Sequence, residues 1–236
     1  MVCASQYFED ERLIKEIFMF ARHLAVALTS VLATIMMSTW AFANDPVKEP
    51  VILVATPSLN DQLFGASVVI ATPLGNGQHI GFFLNRPTPI TLGEMFPDHE
   101  PSKKVTDPIF LGGPESVGAL FALVQRPNPG SSGGIKLAAD LYLEIEREKV
   151  DGAIENEHGH ARFFTGIVVW QPGELVSEIR GNFWYVQDAD STLVLRKSTT
   201  GMWEDLIKRI DNNRHAITAS ISFLADPDLR LVPFRE

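Results

Sequence analysis

Four side chains that can bind a metal ion lie close together in the sequence. They are Glu155, Glu157, His158 and His160. Imidazole nitrogens and carboxylate oxygens are ligands that zinc and other divalent ions take in proteins. If this segment is extended, His158 and His160 point to the same side, as a metal-assisted hydrolase would need. The alternative is a polar, solvated connection, because Gly159 separates the histidines and no third ligand stands at a typical zinc spacing.

The segment from Gly130 to Gly134 has the G-x-S-x-G spelling of a hydrolase nucleophile elbow. In such enzymes the serine lies on a strained turn that leads from a strand into a helix. Here Pro-Asn-Pro precedes the motif and a predicted strand follows it. The context therefore favours a flexible loop over a catalytic serine.

Four polar residues flank the ends of predicted strands and turns, where binding groups often gather. They are Asp61, Asn85, Arg86 and Glu115, and they are the candidate ligand-binding residues. Structural roles compete with binding at three of them. Asp61 can cap a turn, and Asn85 can bond backbone groups before Pro87. Arg86 can pair with a carboxylate.

Two tryptophans and two glutamates resemble the aromatic walls and carboxylate pair of a sugar-cleaving site. They are Trp170, Glu174, Glu178 and Trp184. However, Glu174 and Glu178 are four residues apart on one predicted helix, where they can meet only as a surface pair. Glu174 also suits the start of that helix, and the tryptophans suit a core. We therefore assign no catalytic residue and no cofactor.

The composition restricts the partners. The formal net charge of −9 gives no overall field that attracts nucleic-acid phosphates, so we expect no nucleic-acid partner. The single cysteine, Cys3, excludes an intramolecular disulfide and a cysteine-type metal site. We expect an unidentified protein or small molecule as the partner.

The N-terminal segment has the pattern of a secretory signal. An uncharged apolar run from Leu24 to Trp40 follows Arg22 and precedes Ala-Phe-Ala, which predicts cleavage after Ala43 and a periplasmic protein. The stretch before Met19 is acidic, so Met19 is a possible true start. The alternative is a retained anchor, and a membrane contact is expected only in that case.

Short apolar segments separated by turns follow the signal. Gly75-Asn76-Gly77 predicts a tight hairpin, and Pro172 and Gly181 punctuate one helix. We predict strands at 51–55, 67–71, 79–84, 109–111, 119–124, 141–145, 162–170 and 184–186, and helical segments at 60–66, 91–96, 146–154, 172–180 and 201–210. This pattern predicts an α+β fold with a largely antiparallel sheet. We expect a leader at 44–50, one domain at 51–211 and a tail at 212–236.

Several of these segments carry family motifs. They are VATP at 54–57, DQLFGASVV at 61–69, GFFLNRP at 81–87, LGGP at 111–114, GIVVWQPGEL at 166–175 and NFW at 182–184. In this order and spacing they resemble the AlgH/YqgE family of small bacterial proteins, over about 51–210. The resemblance implies a bifurcated sheet that forms a pseudo-barrel flanked by short helices.

The resemblance implies little chemistry, because the family has no settled catalytic mechanism. Some members are named as regulators of transcription. This chain departs from the pattern at Thr72-Pro73, where members usually carry an acidic residue and a histidine, and in its predicted signal and tail. Our hypothesis is an exported, non-enzymatic binding or regulatory protein. The alternatives are a metal-assisted hydrolase, or a cytoplasmic transcription regulator if the signal is misread.

Overall fold

The apolar segments of the chain form a curled sheet with helices packed on it. The computed structural model describes residues 47–128 and 134–224, with backbone alone for 216–224. The strands are β1 Val51–Ala55, β2 Val68–Gly75, β3 Gln78–Phe83, β4 Pro87–Thr91, β5 Pro108–Leu111, β6 Glu115–Gln125, β7 Ile135–Lys136, β8 Leu141–Glu144, β9 Ala161–Trp170 and β10 Trp184–Asp188.

Helices connect or cover the strands. They are α1 Leu92–Met95, α2 Arg147–Asn156, α3 Glu174–Arg180, α4 Ser191–Val194 and α5 Met202–Leu224, together with 3-10 turns at Glu100–Lys104 and His158–His160. Thr91 and Glu94 start α1 with a capping box, in which each side chain bonds the other residue's backbone N–H. None of the helices in the described part of the chain has the length and hydropathy of a membrane-spanning segment.

The sheet divides at β9. Its strand order is β10-β1-β2-β3-β9-β6-β8-β7, with antiparallel neighbours throughout. One edge of β9 pairs with β6, and the other edge pairs with two different strands. β3 pairs with β9 at residues 168–170, while β5 runs parallel to β9 at residues 164–165. This split confirms the predicted bifurcated, largely antiparallel α+β fold.

Glycines allow the backbones to cross at the split. A Cβ on Gly112 would lie 2.2 Å from the Gly166 carbonyl oxygen, and one on Gly113 would lie 2.1 Å from the carbonyl carbon of Ile167. Gly166 itself has a φ of +75°, which favours glycine. The Gly112 backbone also joins both branches, since it donates to Thr165 and accepts from Phe83. The Gly112-Gly113 pair is therefore required by the close approach of two strands.

The central strands are buried on both faces, which explains their continuous apolar runs. In β1, Ile52 and Val54 face one core, while Leu53 and Ala55 face a second core on the opposite side. Helix α5 covers the first core and α3 covers the second. A third, smaller core lies between β6, β9 and α2.

The structure extends several predicted elements. Strand β2 reaches Gly75 and β6 begins at Glu115, so both are longer than predicted. Strand β4 has no counterpart among the predicted strands. The last helix runs to Leu224, past the expected end of the domain at 211. The predicted hairpin at 75–77 is confirmed, because all three residues have a positive φ.

Candidate functional site

A cavity of about 300 Å³ lies beside the end of β3. One wall is formed by Asn85, Arg86 and Pro87, which follow β3 directly. The opposite wall is formed by residues 199–204, which lead into α5. Two of the four candidate residues therefore line one cavity.

Arg86 is half-buried in the wall of this cavity. Its Nη2 donates to the carbonyl oxygens of Gly65 at 2.7 Å and Leu63 at 3.3 Å, and its guanidinium lies 5.9 Å from the centre of the Phe83 ring. Burial lowers the pKa of Arg86. The alternative role of Arg86, pairing with a carboxylate, is not observed among the described residues, where its side chain contacts carbonyls and an aromatic ring.

Asn85 holds the start of β2 against the end of β3. Its Oδ1 accepts from the Val68 N–H at 3.0 Å, and its Nδ2 donates to the Ala66 carbonyl at 2.9 Å. The predicted backbone role is therefore observed. Because its amide oxygen and amide nitrogen both form hydrogen bonds with the backbone, Asn85 shapes the cavity and fixes the position of Arg86.

Asp61 shapes the turn that faces Arg86. Its Oδ1 accepts from the N–H groups of Leu63 and Phe64, each at 2.8 Å. The hydrogen bonds from Phe64 and then Leu63 lower the pKa of Asp61. This capped turn presents the Leu63 and Gly65 carbonyls to Arg86. Asp61 thus supports the site from outside the cavity lining.

Glu115 lies elsewhere. It begins β6 opposite Ile167, is exposed, and does not line the cavity beside Arg86. Among the described residues, its side chain makes no ion pair. The structure therefore separates Glu115 from the other three candidates.

The two histidines do not lie on an extended segment. His158 and His160 occupy a 3-10 turn between α2 and β9, so the expectation that they share one side of a strand does not apply. Glu157 forms an ion pair with Arg126 at 3.4 Å. Within the part of the chain that the structure describes, no group of three or more His, Cys, Asp or Glu side chains is placed to hold a metal.

The glutamates near the tryptophans have structural roles. Glu178 Oε2 accepts from both indole N–H groups, at 2.9 Å from Trp170 and 2.7 Å from Trp184. Glu174 accepts from the Gln171 backbone N–H at 2.8 Å, at the start of α3. Both tryptophans are buried, as predicted.

Of the serine motif at 130–134, residues 130–133 lie outside the described residues.

Two buried charged groups were not predicted. Glu144 is buried on β8 and forms an ion pair with Arg126. Arg162 is buried on β9, donates to the Val194 and Arg196 carbonyls, and stacks 4.3 Å from the centre of the Phe110 ring. Burial lowers its pKa to about 10. These contacts tie the end of α4 to the sheet.

The opposite wall of the cavity was also missed. It contains Thr199, Thr200, Gly201, Met202, Trp203 and Glu204. The amphipathic pattern of the last helix predicts its apolar face but not the end at which it meets β3. Trp203 fixes that position, because its indole N–H donates to the Ala55 carbonyl at 2.7 Å.

The chain is similar to proteins of one bacterial family. A family model described as AlgH-like matches residues 52–215, more than half of the chain. A UPF0301 protein from Parabacteroides distasonis is 29% identical over 165 residues, 69% of this chain and 82% of that protein. One from Streptomyces coelicolor is 27% identical over 183 residues, 75% of this chain and 93% of that protein.

Two solved structures share the fold. The solution structure of the AlgH protein from Pseudomonas aeruginosa has a TM-score of 0.57 at 22% identity and covers 75% of this chain and 95% of that one. A crystal structure of a Corynebacterium diphtheriae protein has a TM-score of 0.59 at 22% identity, covering 70% and 88%. The matched family model, over a sheet with the expected split, establishes that this chain belongs to the AlgH-like family.

Proposed function

We propose that the protein is an exported, non-enzymatic binding protein that takes a small carboxylate or phosphate group in the cavity beside Arg86. The main observation behind the proposal is the burial of Arg86 without a counter-ion. Its positive charge is half-buried and, among the described residues, has no carboxylate within ion-pair distance. A half-buried cation is less well solvated than an exposed one, and an anionic ligand would supply the counter-charge.

The surroundings of Arg86 suit a small anion. The hydroxyls of Thr199 and Thr200 belong to residues that line the same cavity and can donate hydrogen bonds to an oxyanion. Its volume of about 300 Å³ lies at the small end of ligand sites. Glu204 also lines the cavity, and the chain carries a net charge of −9, so repulsion grows with the charge of the ligand and favours a small anion over an extended polyanion.

The non-enzymatic part of the proposal rests on how the neighbouring polar groups are used. Asp61 and Asn85 both direct their side chains to backbone groups. They therefore hold the shape of the site and are not poised to transfer protons. The export part rests on the apolar run and the Ala-Phe-Ala exit that precede residue 44.

Equilibrium titration with acetate and with inorganic phosphate tests the proposal. Trp203 lines the cavity, so its fluorescence reports occupancy. We expect saturable binding of at least one anion that Arg86→Gln weakens at least about tenfold, the loss of one charge-assisted hydrogen bond. Arg209→Gln is the matched control, because Arg209 is exposed on α5 and does not line the cavity.

Thermal unfolding of each variant separates a lost ligand contact from a lost fold. Arg86→Lys retains the charge and keeps part of the affinity if the anion is bound electrostatically. Equal affinity in the wild type and Arg86→Gln would overturn the proposal, and so would the absence of saturable binding by either anion.

A further inference from the structure

A groove of about 640 Å³ lies away from the Arg86 cavity, between α2, the 3-10 turn Glu100–Lys104 and the first half of β6. Its apolar lining includes Phe96, Leu120, Ile145, Val150 and Ile154. The two cavities share no lining residue.

The groove opens into the third core of the molecule. Val150 and Ile154 are each 2% exposed and belong to that core, so they form the floor. Phe96 and Ile145 stand at the rim with 40% and 44% of their surfaces exposed. Large apolar side chains around an open groove are a feature of interaction sites.

The apolar surface continues beyond the groove along β6. The pairing of β6 with β9 shifts between Glu115 and Leu120, so residues 116–119 bulge out of the ladder. Val117 on this bulge is 57% exposed, and Gly118 beside it lines the groove. A Cβ placed on Gly118 would meet nothing within 4 Å. The exposed surface therefore continues from the groove onto the bulge of β6.

Acidic groups border this surface. Asp151 and Glu155 lie four residues apart on α2 and both line the groove. Arg147 also lines the groove, and its Nε lies 3.8 Å from the Asp151 carboxylate, at the limit of an ion pair. Among the described residues, Glu155 has no ion-pair partner. The Glu155 carboxylate, next to the apolar floor, is thus available to a cationic partner.

We propose that this groove docks a segment of a partner protein that inserts one bulky apolar side chain and carries lysine or arginine beside it. The apolar floor accepts the anchor side chain, and the Glu155 carboxylate accepts the flanking charge. This site goes beyond the proposed anion site and does not depend on it.

Selection from a random 12-residue peptide library displayed on phage tests the chemistry of the partner. We expect the selected peptides to share a Phe, Leu or Trp with Lys or Arg within four positions. Enrichment of acidic or uncharged peptides, or no enrichment over an unrelated protein, would overturn the proposal.

Matched variants then locate the binding of a selected peptide. Ile145→Ser removes a rim side chain and should weaken binding about tenfold or more. Leu74→Ser is its control, because Leu74 is 46% exposed on the β2–β3 hairpin, outside the groove. Equal losses in the two variants would contradict the assignment.

Charge reversal gives an independent test on one helix. Glu155→Lys should weaken binding about fivefold, and more at low salt than at high salt. Glu148→Lys makes the same change at an exposed residue of α2 that does not line the groove, and it should retain wild-type affinity. Thermal unfolding confirms that each variant is folded. If sedimentation shows a dimer that Ile145→Ser dissociates, the groove is covered by a second copy and the proposal fails.

Discussion

The Asp61 carboxylate stabilises the turn that supplies the carbonyls to Arg86. The N–H bonds from Phe64 and Leu63 lower the pKa of Asp61 in the folded state, so its charged form favours folding. That contribution is fully present above the pKa of the unfolded chain and is lost as the pH falls through the lower, folded pKa. Asp61→Asn should abolish this acid dependence. The measurement is the pH dependence of the Leu63 and Phe64 amide shifts, and unchanged acid titration in the variant would contradict the prediction.

Glu178 joins two buried aromatic side chains through one oxygen. Removing it leaves the indole N–H groups of Trp170 and Trp184 without their acceptor. We expect Glu178→Ala to lower the free energy of unfolding by about 2 kcal/mol, the cost of leaving buried donors unsatisfied. Chemical denaturation measures the loss, and Glu155→Ala, an exposed glutamate on α2, is the control. Equal stability of the two variants would contradict the prediction.

For single side chains, the sequence predicts some structural roles and misses others. Asn85 precedes a proline at a strand end, and a backbone-bonding role follows from that local context. The partners of Arg86 could not be predicted, because the carbonyls of Leu63 and Gly65 reach it only after β2 and β3 have paired. Side-chain partners that depend on non-local pairing leave no local pattern.

The crossing of β5 and β9 is the element-scale feature most sensitive to substitution. A Cβ at Gly113 would overlap the Ile167–Val168 peptide at 2.1–2.3 Å, and backbone cannot move aside as a side chain can. We expect Gly113→Ala to cost at least about 3 kcal/mol of unfolding free energy, the upper range for overpacking. Gly118→Ala is the control, since nothing lies within 4 Å of its added Cβ. Denaturant unfolding that gives both variants similar midpoints would contradict this account of the split.

Elements with strong local signals were predicted best. Strand β1 is a continuous apolar run, and α3 carries a proline near its start and a glycine at its end. Strand β4 was missed because two of its five residues are prolines, and it pairs only at Pro87 and Thr91. The parallel pairing of β5 with β9 joins segments far apart in sequence, which periodicity cannot reveal.

For the whole molecule, the proposed export predicts where the protein is found and at which residue it begins. Expressed without a tag in a Gram-negative host, the protein should be recovered from the periplasm with Asn44 as its first residue, because Ala-Phe-Ala completes the signal pattern. Cell fractionation and intact mass measure both features. A cytoplasmic product that keeps the apolar run would refute export and favour the cytoplasmic regulator.

Mapping a bound anion on the folded protein decides whether an anion binds beside Arg86. Backbone amide NMR spectra recorded during titration with phosphate or acetate locate the contact without any substitution. We expect saturable shifts concentrated at residues 85–87 and 199–204, on the two walls of the cavity. Shifts that are absent there, or that cluster on another surface, would contradict it.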